Sequence, residues 1–464
     1  MIIDSSGFVN ALLAVNEWWL SGKWSQNERY VLRRQAFEKL QKELSGSKRV
    51  LTLFGPRRVG KSILLHQSIQ ALLDFGVEPG QITYYSLDDP SILPYTDEPV
   101  RDITEHAVSR AKGKTAYVFL DEIQASKNWH QWVKAYYDRG TRIKFVLSGS
   151  ASFSIQSDAN KYLRGRTVEF ELLPLDFREF LLFAGVPAAK IGEDDATSAA
   201  VVALKAMEPL VEEYLLVGGF PEWFELRGTP DATRRWLERL VLDVPKKAIY
   251  EDIASYFGIR NPKVLDLLLT VIASNQGRIL SYEKLNEAVR LNRATLLDYL
   301  EFLRSSYLLL EIPLHASPKK QAKAMKKFLL CDQGVRNAIL KKTVPDPENA
   351  GFLVENVVGA TLFRHCSQLT YWRDQSNEVD YVADGFPVEV KYQNSIGEPD
   401  AAGILRFLKE SGGKNGAIIT RHHKGKLSIK GKSISLVPFW EFLLDPQQVI
   451  MGVWSNPDSS STKH

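Results

Sequence analysis

The octapeptide from Gly55 to Ser62, GPRRVGKS, constrains this chain more than any other stretch. It fits the pattern GxxxxGK[ST], follows the apolar run KRVLTLF (48–54) and opens the helical stretch ILLHQSIQALLDF. That context is the one in which such a loop cradles phosphates. Gly55 and Gly60 allow the backbone to curl, so that the loop between them (Pro56, Arg57, Arg58, Val59) turns its N–H groups toward an anion at a helix N-terminus. Lys61 is placed to reach the β- and γ-phosphates, and Ser62 to ligate magnesium. The cofactors expected here are ATP and Mg2+.

The flanking pattern fixes the fold class. Short apolar runs at 48–54, 82–87 (ITYYSL), 115–121 (TAYVFLD), 142–148 (RIKFVLS) and 167–173 (TVEFELL) alternate with helical stretches. Continuous apolar strands separated by helices predict an α/β domain with a parallel sheet covered on both faces. YVFLDE ends its run on Asp121 and Glu122, two adjacent carboxylates at a strand tip. Asp121 is the candidate to hold magnesium through water, and Glu122 to polarise the attacking water. Because ITYYSL lies between the two motifs, an extra strand is expected to separate the phosphate-loop strand from the carboxylate strand. Ser148, ending the next run, is a candidate sensor of the γ-phosphate. Arg166, in LRGR just before the fifth strand, is the first candidate for a finger reaching a neighbouring subunit, with Arg164 second. A plain surface arginine is the alternative.

At 464 residues the chain has length for roughly three domains. Its two cysteines, Cys331 and Cys366, form no CxxC or Cys/His cluster, which argues against disulfide or thiolate-metal frameworks and for a reducing cytoplasm. No apolar stretch is long enough to cross a bilayer, and MIIDSSGFVN lacks the basic and apolar regions of a signal peptide. A net charge of +4 permits nucleic-acid binding without arguing for it.

Residues 1–28 read as an extension with a helical patch, NALLAVNEWWL. A helix, RYVLRRQAFEKLQKEL, leads from about Tyr30 into the nucleotide domain (29–175). Residues 176–258 are mainly helical, interrupted at Gly218-Gly219. In 259–330, SYEKLNEAVRLNRATLLDYLEFLRS reads as helix, turn at Leu291-Asn292, and helix, with Leu285, Ala288, Val289, Leu296, Leu300 and Leu303 inward. The wing that follows is expected to carry Lys319, Lys320, Lys323, Lys326 and Lys327 at its tip, a sequence-independent phosphate-binding patch or else a solvated connector. An α/β module covers 331–453, and the polar tail 454–464 is expected to be disordered.

In that last module, NEVDYVADGFPVEVKY predicts a two-residue hairpin at Asp384-Gly385. The register pairs Ala383 with Phe386 and sets Asp380 opposite Glu389. Strand periodicity places Lys391 on the same face, with Val379, Tyr381, Val388 and Val390 on the other. Two such carboxylates suit a hard divalent cation, and the lysine can position a nucleophile. Glu355 is the lone acid in the apolar helix GFLVENVVGATLF. The bland alternative is a polar hairpin face with a cross-strand ion pair.

GPRRVGKS, FLDEIQ, LSGS, LRGR followed by PLDFREF, and YLLVGGFPE together resemble the bacterial and archaeal AAA+-type ATPases that carry a C-terminal domain of unknown function. The likeness runs over roughly 30–450. It implies an ATPase core, a helical lid, a winged-helix segment and a nuclease-like C-terminal domain. Glu355, Asp380 and the Glu389-Val390-Lys391 triplet also resemble the PD-(D/E)xK nuclease superfamily, with Asp380 and Glu389 as ligands of Mg2+ or Mn2+. The expected function is magnesium-dependent ATP hydrolysis coupled to a DNA-cutting domain in a homo-oligomeric ring, such as a hexamer. The rival is a nucleotide switch or scaffold whose C-terminal domain binds nucleic acid or protein without cutting.

Overall fold

The computed structural model describes residues 5–26, 30–149, 162–186, 198–345 and 350–451, with the backbone alone at 5, 198–206, 322 and 323. The expected polar tail lies outside these residues. The chain divides into two compact units, Met1–Leu173 and Pro174–His464.

The first unit is built on strands β1 (Val50–Phe54), β2 (Ile82–Ser86), β3 (Ala116–Asp121), β4 (Ile143–Gly149) and β5 (Thr167–Glu171). All pair in parallel, in the order β2-β3-β4-β1-β5. The four strands other than the edge strand β5 are almost wholly buried, which is why they read as unbroken apolar runs. An extra strand does separate β1 from the carboxylate strand β3, but it is β4; β2 lies at the edge. Chain order alone cannot give spatial order, because each crossover can land on either side of the growing sheet.

The amino-terminal segment is part of this unit. Its helix Ser5–Val15 ends at Asn16, whose amide donates to Tyr84 O (2.8 Å) and accepts from Tyr84 N–H (2.7 Å). Trp18 and Trp19 both donate to Ile82 O. These bonds occupy backbone groups along the edge strand β2, which would otherwise be open to another chain. The helix expected from Tyr30 begins only at Ala36. Before it, the carbonyls of Tyr30 and Leu32 accept from the Gln67 side chain, and Arg34 donates to Val59 O and Leu173 O. Tertiary bonds here outcompete helical ones.

The second unit opens with helices, among them Ser198–Val217 and Ala232–Val241. A helix (Lys263–Ser274) is followed by β6 (Ile279–Leu280), helices Tyr282–Val289 and Arg293–Ser305, β7 (Leu309–Ile312) and β8 (Lys326–Leu330), with sheet order β6-β8-β7. Asn292 caps the second helix of the pair by accepting from Thr295 N–H. Leu285, Val289, Leu296, Leu300 and Leu303 are buried as expected, but Ala288 is exposed.

The lysine patch is not what the sequence suggests. Lys319 and Lys320 are exposed on the short helix Pro318–Lys323, whereas Lys326 and Lys327 lie in the wholly buried β8. Both are held by acids, Lys326 by Glu311 and Lys327 by a carboxylate cluster described below. The side chain of Lys323 lies outside the described residues.

The last module is a six-stranded sheet, β13-β14-β12-β11-β10-β9, from β9 (Leu369–Arg373), β10 (Glu378–Ala383), β11 (Phe386–Lys391), β12 (Asn415–Thr420), β13 (Gly425–Ile429) and β14 (Lys432–Pro438). Helix Ala402–Ser411 sends Ile404, Phe407 and Leu408 into a core with Val379, Val382, Ile418 and Leu436. Helix Ala350–His365, which carries Glu355, packs on β8, β10 and β11.

Candidate functional site

The phosphate loop lies between the carboxyl end of β1 and helix Lys61–Asp74. At Gly55 a Cβ would fall 1.9 Å from Leu172 O, and Gly60 has φ 94°, so neither position admits a side chain without strain. Lys61 is buried and donates to Gly55 O and Pro56 O, both at 2.9 Å, closing the loop on itself. Ser62 Oγ donates to Asp121 Oδ2 at 2.5 Å. The two motifs, 59 residues apart, therefore meet directly.

Asp121 gathers four donors. Besides Ser62 it accepts from Tyr84 OH (3.2 Å), from Glu122 N–H (3.0 Å) and from Ser148 Oγ. Each is neutral, and Asp121 is 2% exposed. Ser148 is fully buried, and its hydroxyl is engaged by Asp121. Glu122 sits just past the strand tip in the left-handed region, φ 48°, with Gln124 donating to its carboxylate. A non-glycine residue in that region is uncommon and is held there by its surroundings. Ser62 and Asp121 offer hard oxygens in the setting magnesium prefers, so these residues fit that ion.

Three neighbours escaped the sequence reading. Arg34 clamps the loop through Val59 O. Tyr84, from β2, reaches Asp121, and both burial and the Asp121 charge push its phenol far up, so it stays a donor. His66 lies 4.4 Å from the Tyr84 ring and stacks on Trp24 at 5.0 Å; burial lowers its basicity. No local motif marks any of them; only the spacing of His66 one turn after Ser62 hinted at proximity.

Arg166 stands at the opposite end of the sheet. Thr167 pairs with Val50 at the start of β1, while the phosphate loop follows Phe54 at its far end. Arg166 Nε donates to Asp138 at 2.8 Å, and its guanidinium lies 5.9 Å from the Tyr137 ring. It does not reach the phosphate loop of its own chain.

Residues 47–181 match the family described as AAA domain. Residues 47–181 form an AAA-type P-loop ATPase domain. Residues 208–346 and 350–442 match two families each described as a domain of unknown function, DUF8612 and DUF4143. An uncharacterized protein of Methanocaldococcus jannaschii is 24% identical, covering 85% of this chain and 88% of its own. One of Haemophilus influenzae is 25% identical, over 72% and 79%. The solved ORC2 protein of Aeropyrum pernix overlays 72% of this chain and 95% of its own at TM-score 0.36 and 15% identity, a likeness too loose to speak to function.

The second cluster lies in the other unit. The hairpin has the expected register, Ala383 with Phe386, Val382 with Pro387 and Tyr381 with Val388. At Asp380 and Glu389 side chains replace the ladder: Asp380 N–H donates to Glu389 Oε2 (3.3 Å) and Val390 N–H to Asp380 Oδ2 (2.9 Å). The two carboxylates and Lys391 do converge, with Lys391 Nζ 2.7 Å from Glu389 Oε1. The clean division of faces fails at Tyr381, whose hydroxyl donates to Glu355 O. An irregularity in the β9–β10 pairing between Val379 and Val382 interrupts the alternation.

The unexpected member is Lys327. Fully buried, its ammonium lies 2.6 Å from Glu355 Oε1, 3.3 Å from Asp380 Oδ1 and 3.5 Å from Glu378 Oε1. Burial works to lower its pKa, yet Glu355 and Asp380 hold it well above the usual lysine value. Burial, then the Asp380 charge, raises Glu355 to about 7 and Glu389 to about 8, against the pull of Lys327 and Lys391. A divalent ion needs several oxygens turned toward one empty point. Here the ammonium stands among them, and among the described residues no group of three His, Cys, Asp or Glu side chains is arranged to hold a metal. As arranged, the acids do not fit Mg2+ or Mn2+.

Proposed function

We propose that the AAA-type domain binds magnesium ATP and hydrolyses it, and that the second unit responds to that cycle by binding rather than by cutting. The observation that supports the first half most is the 2.5 Å bond between Ser62 and Asp121, which joins the loop to the acidic strand tip. Ser62, and Asp121 through water, would hold magnesium, which supplies charge neutralisation on the phosphates. Glu122 takes the proton of the attacking water, and its constrained backbone aims it. Lys61 exchanges its two loop carbonyls for phosphate oxygens. Ser148 turns from Asp121 to report the γ-phosphate. ATP turnover by the purified chain tests this reading, and its absence with magnesium present overturns it.

The finer reading of the second unit is a metal-dependent DNA nuclease using Glu355, Asp380, Glu389 and Lys391. The convergent hairpin supports it, and Lys327 weighs against it. A winged-helix contact to DNA draws support from the helix pair of 282–305 and the exposed Lys319 and Lys320. The purified protein should bind DNA with a salt dependence that flattens by about one log–log unit for each of these lysines neutralised, if each pairs with one phosphate. It should leave single-stranded, duplex and branched DNA intact with either metal, with or without ATP. Cleavage that disappears in Asp380→Ala would reinstate the nuclease.

A further inference from the structure

We propose that a cleft in the second unit binds a small organic anion, a carboxylate or phosphate monoester carrying a short apolar group. The cleft has a volume of about 230 Å³. It lies where helix Ser198–Val217 (Glu212, Leu215, Leu216) meets helix Gln333–Leu340 (Arg336) and the residues after β11 and β12, Tyr392 and Arg421. A side cavity of about 20 Å³ adjoins it, sharing Glu212, Tyr392 and Arg421 and adding His422 and Trp440. Neither the phosphate loop nor the Lys327 cluster uses these residues.

Three residues lining the side cavity carry a buried nitrogen that lacks a hydrogen-bond partner among the described residues: Arg421 Nε, His422 Nδ1 and Trp440 Nε1. The arginine and tryptophan groups can only donate, and the histidine nitrogen donates as well when the ring is doubly protonated, with its Nε2 facing Glu208. Buried donors are nearly always matched, so three at one place call for an acceptor. Of the two carboxylates lining the side cavity, Glu208 is already engaged: its Oε1 lies 3.3 Å from Arg421 and 3.4 Å from His422. A cavity of the smaller size holds about one water, and one water accepts at most two such bonds. One oxygen of a carboxylate or phosphate seated in the larger cleft can take that water's place, while a second oxygen stays beside Arg421, which lines both cavities.

Charge and shape agree with that chemistry. Arg336, Lys342 and Arg421 line the larger cavity with Glu212 as its carboxylate, leaving cationic groups in excess. The Arg421 guanidinium lies 5.6 Å from the Tyr392 ring, which orients it. Leu215, Leu216 and Leu353 supply an apolar wall for the body of the ligand. The volume is below the roughly 300–1,000 Å³ of drug-sized sites, so the ligand is small.

The test is titration calorimetry on the full chain, its phosphate loop saturated with magnesium ADP, using benzoate and phenyl phosphate as probes. At least one probe should bind at millimolar concentration, and their ratio tells a carboxylate site from a phosphate site. Trp440→Phe keeps an aromatic ring and deletes the donor, so it should weaken that probe by about tenfold, the factor expected for one bond to a charged group. Arg421→Gln should weaken it at least as much and serves if the first variant folds poorly. Lys426→Ala, an exposed control, should change nothing. If neither probe binds, or both variants bind as the parent does, the cleft holds water alone and the proposal is wrong.

Discussion

The molecule carries two clusters of lysine and carboxylate, and they are solved in opposite ways. At the phosphate loop Lys61 donates to backbone carbonyls, while Asp121 is met by three hydroxyls and an amide. In the second unit Lys327 lies against Glu355 and Asp380, and Lys391 against Glu389. A buried carboxylate met by neutral donors can exchange one of them for an incoming cation without breaking an ion pair. One held by a lysine is already neutralised, and exchanging that lysine for an ion means breaking a buried pair. The same residue types are therefore arranged as exchangeable neutral donors in one place and as closed ion pairs in the other.

The largest effect expected from this contrast is at Glu122. Glu122→Gln should lower ATP turnover by about 10²–10⁴-fold while ATP remains bound, whereas Lys61→Ala should lose binding itself. Steady-state rates and nucleotide affinity of both variants separate these outcomes; normal turnover by Glu122→Gln removes the base assignment.

Next comes Lys327. Lys327→Met should destabilise the second unit by about 3–5 kcal/mol, because it leaves buried carboxylates without their partner. Denaturant unfolding measures this. Added manganese should stabilise the variant and leave the parent unchanged. A variant as stable as the parent would dissolve the contrast, and a metal response in the parent would reverse it.

Arg166 sharpens the comparison from the first unit. It lies at the end of the sheet away from its own loop and pairs with Asp138, so any part it takes in hydrolysis would be at the site of a neighbouring subunit. Mixing Arg166→Ala with Lys61→Ala protein should restore part of the ATPase activity, through interfaces that recover one intact residue of each kind. Mixtures shown to co-assemble yet remaining inactive would leave Arg166 as the partner of Asp138 alone.

The smallest effect is on pH. Glu355 and Glu389 titrate near about 7 and about 8 in the folded chain, against 4.5 for an ordinary glutamate. Between those values the folded state holds protons that the unfolded state has lost, so stability declines as pH rises from 4.5 through 8. Unfolding midpoints across that range should show the decline. A rise instead would mean that Lys327 and Lys391 dominate both acids.

What the sequence determined by itself is local. Strand runs, the glycines of the phosphate loop, Asp121-Glu122 at a strand tip and the Asp384-Gly385 register all follow from periodicity and turn chemistry within about twenty residues. Nothing local could place Ser62 against Asp121, insert β4 between β1 and β3, fold residues 30–35 along the loop, or send Asn16 and Trp18 to the edge of β2. The lysine run shows the limit most clearly. Five lysines in nine residues read as a solvated patch, because no acid stands between them. Lys327 meets Glu355 and Asp380 from 28 and 53 residues away. The burial of β8 made that meeting possible, and a buried ammonium persists only where packing has brought carboxylates to it. Tertiary structure alone decided whether that lysine faced water, a phosphate or an acid.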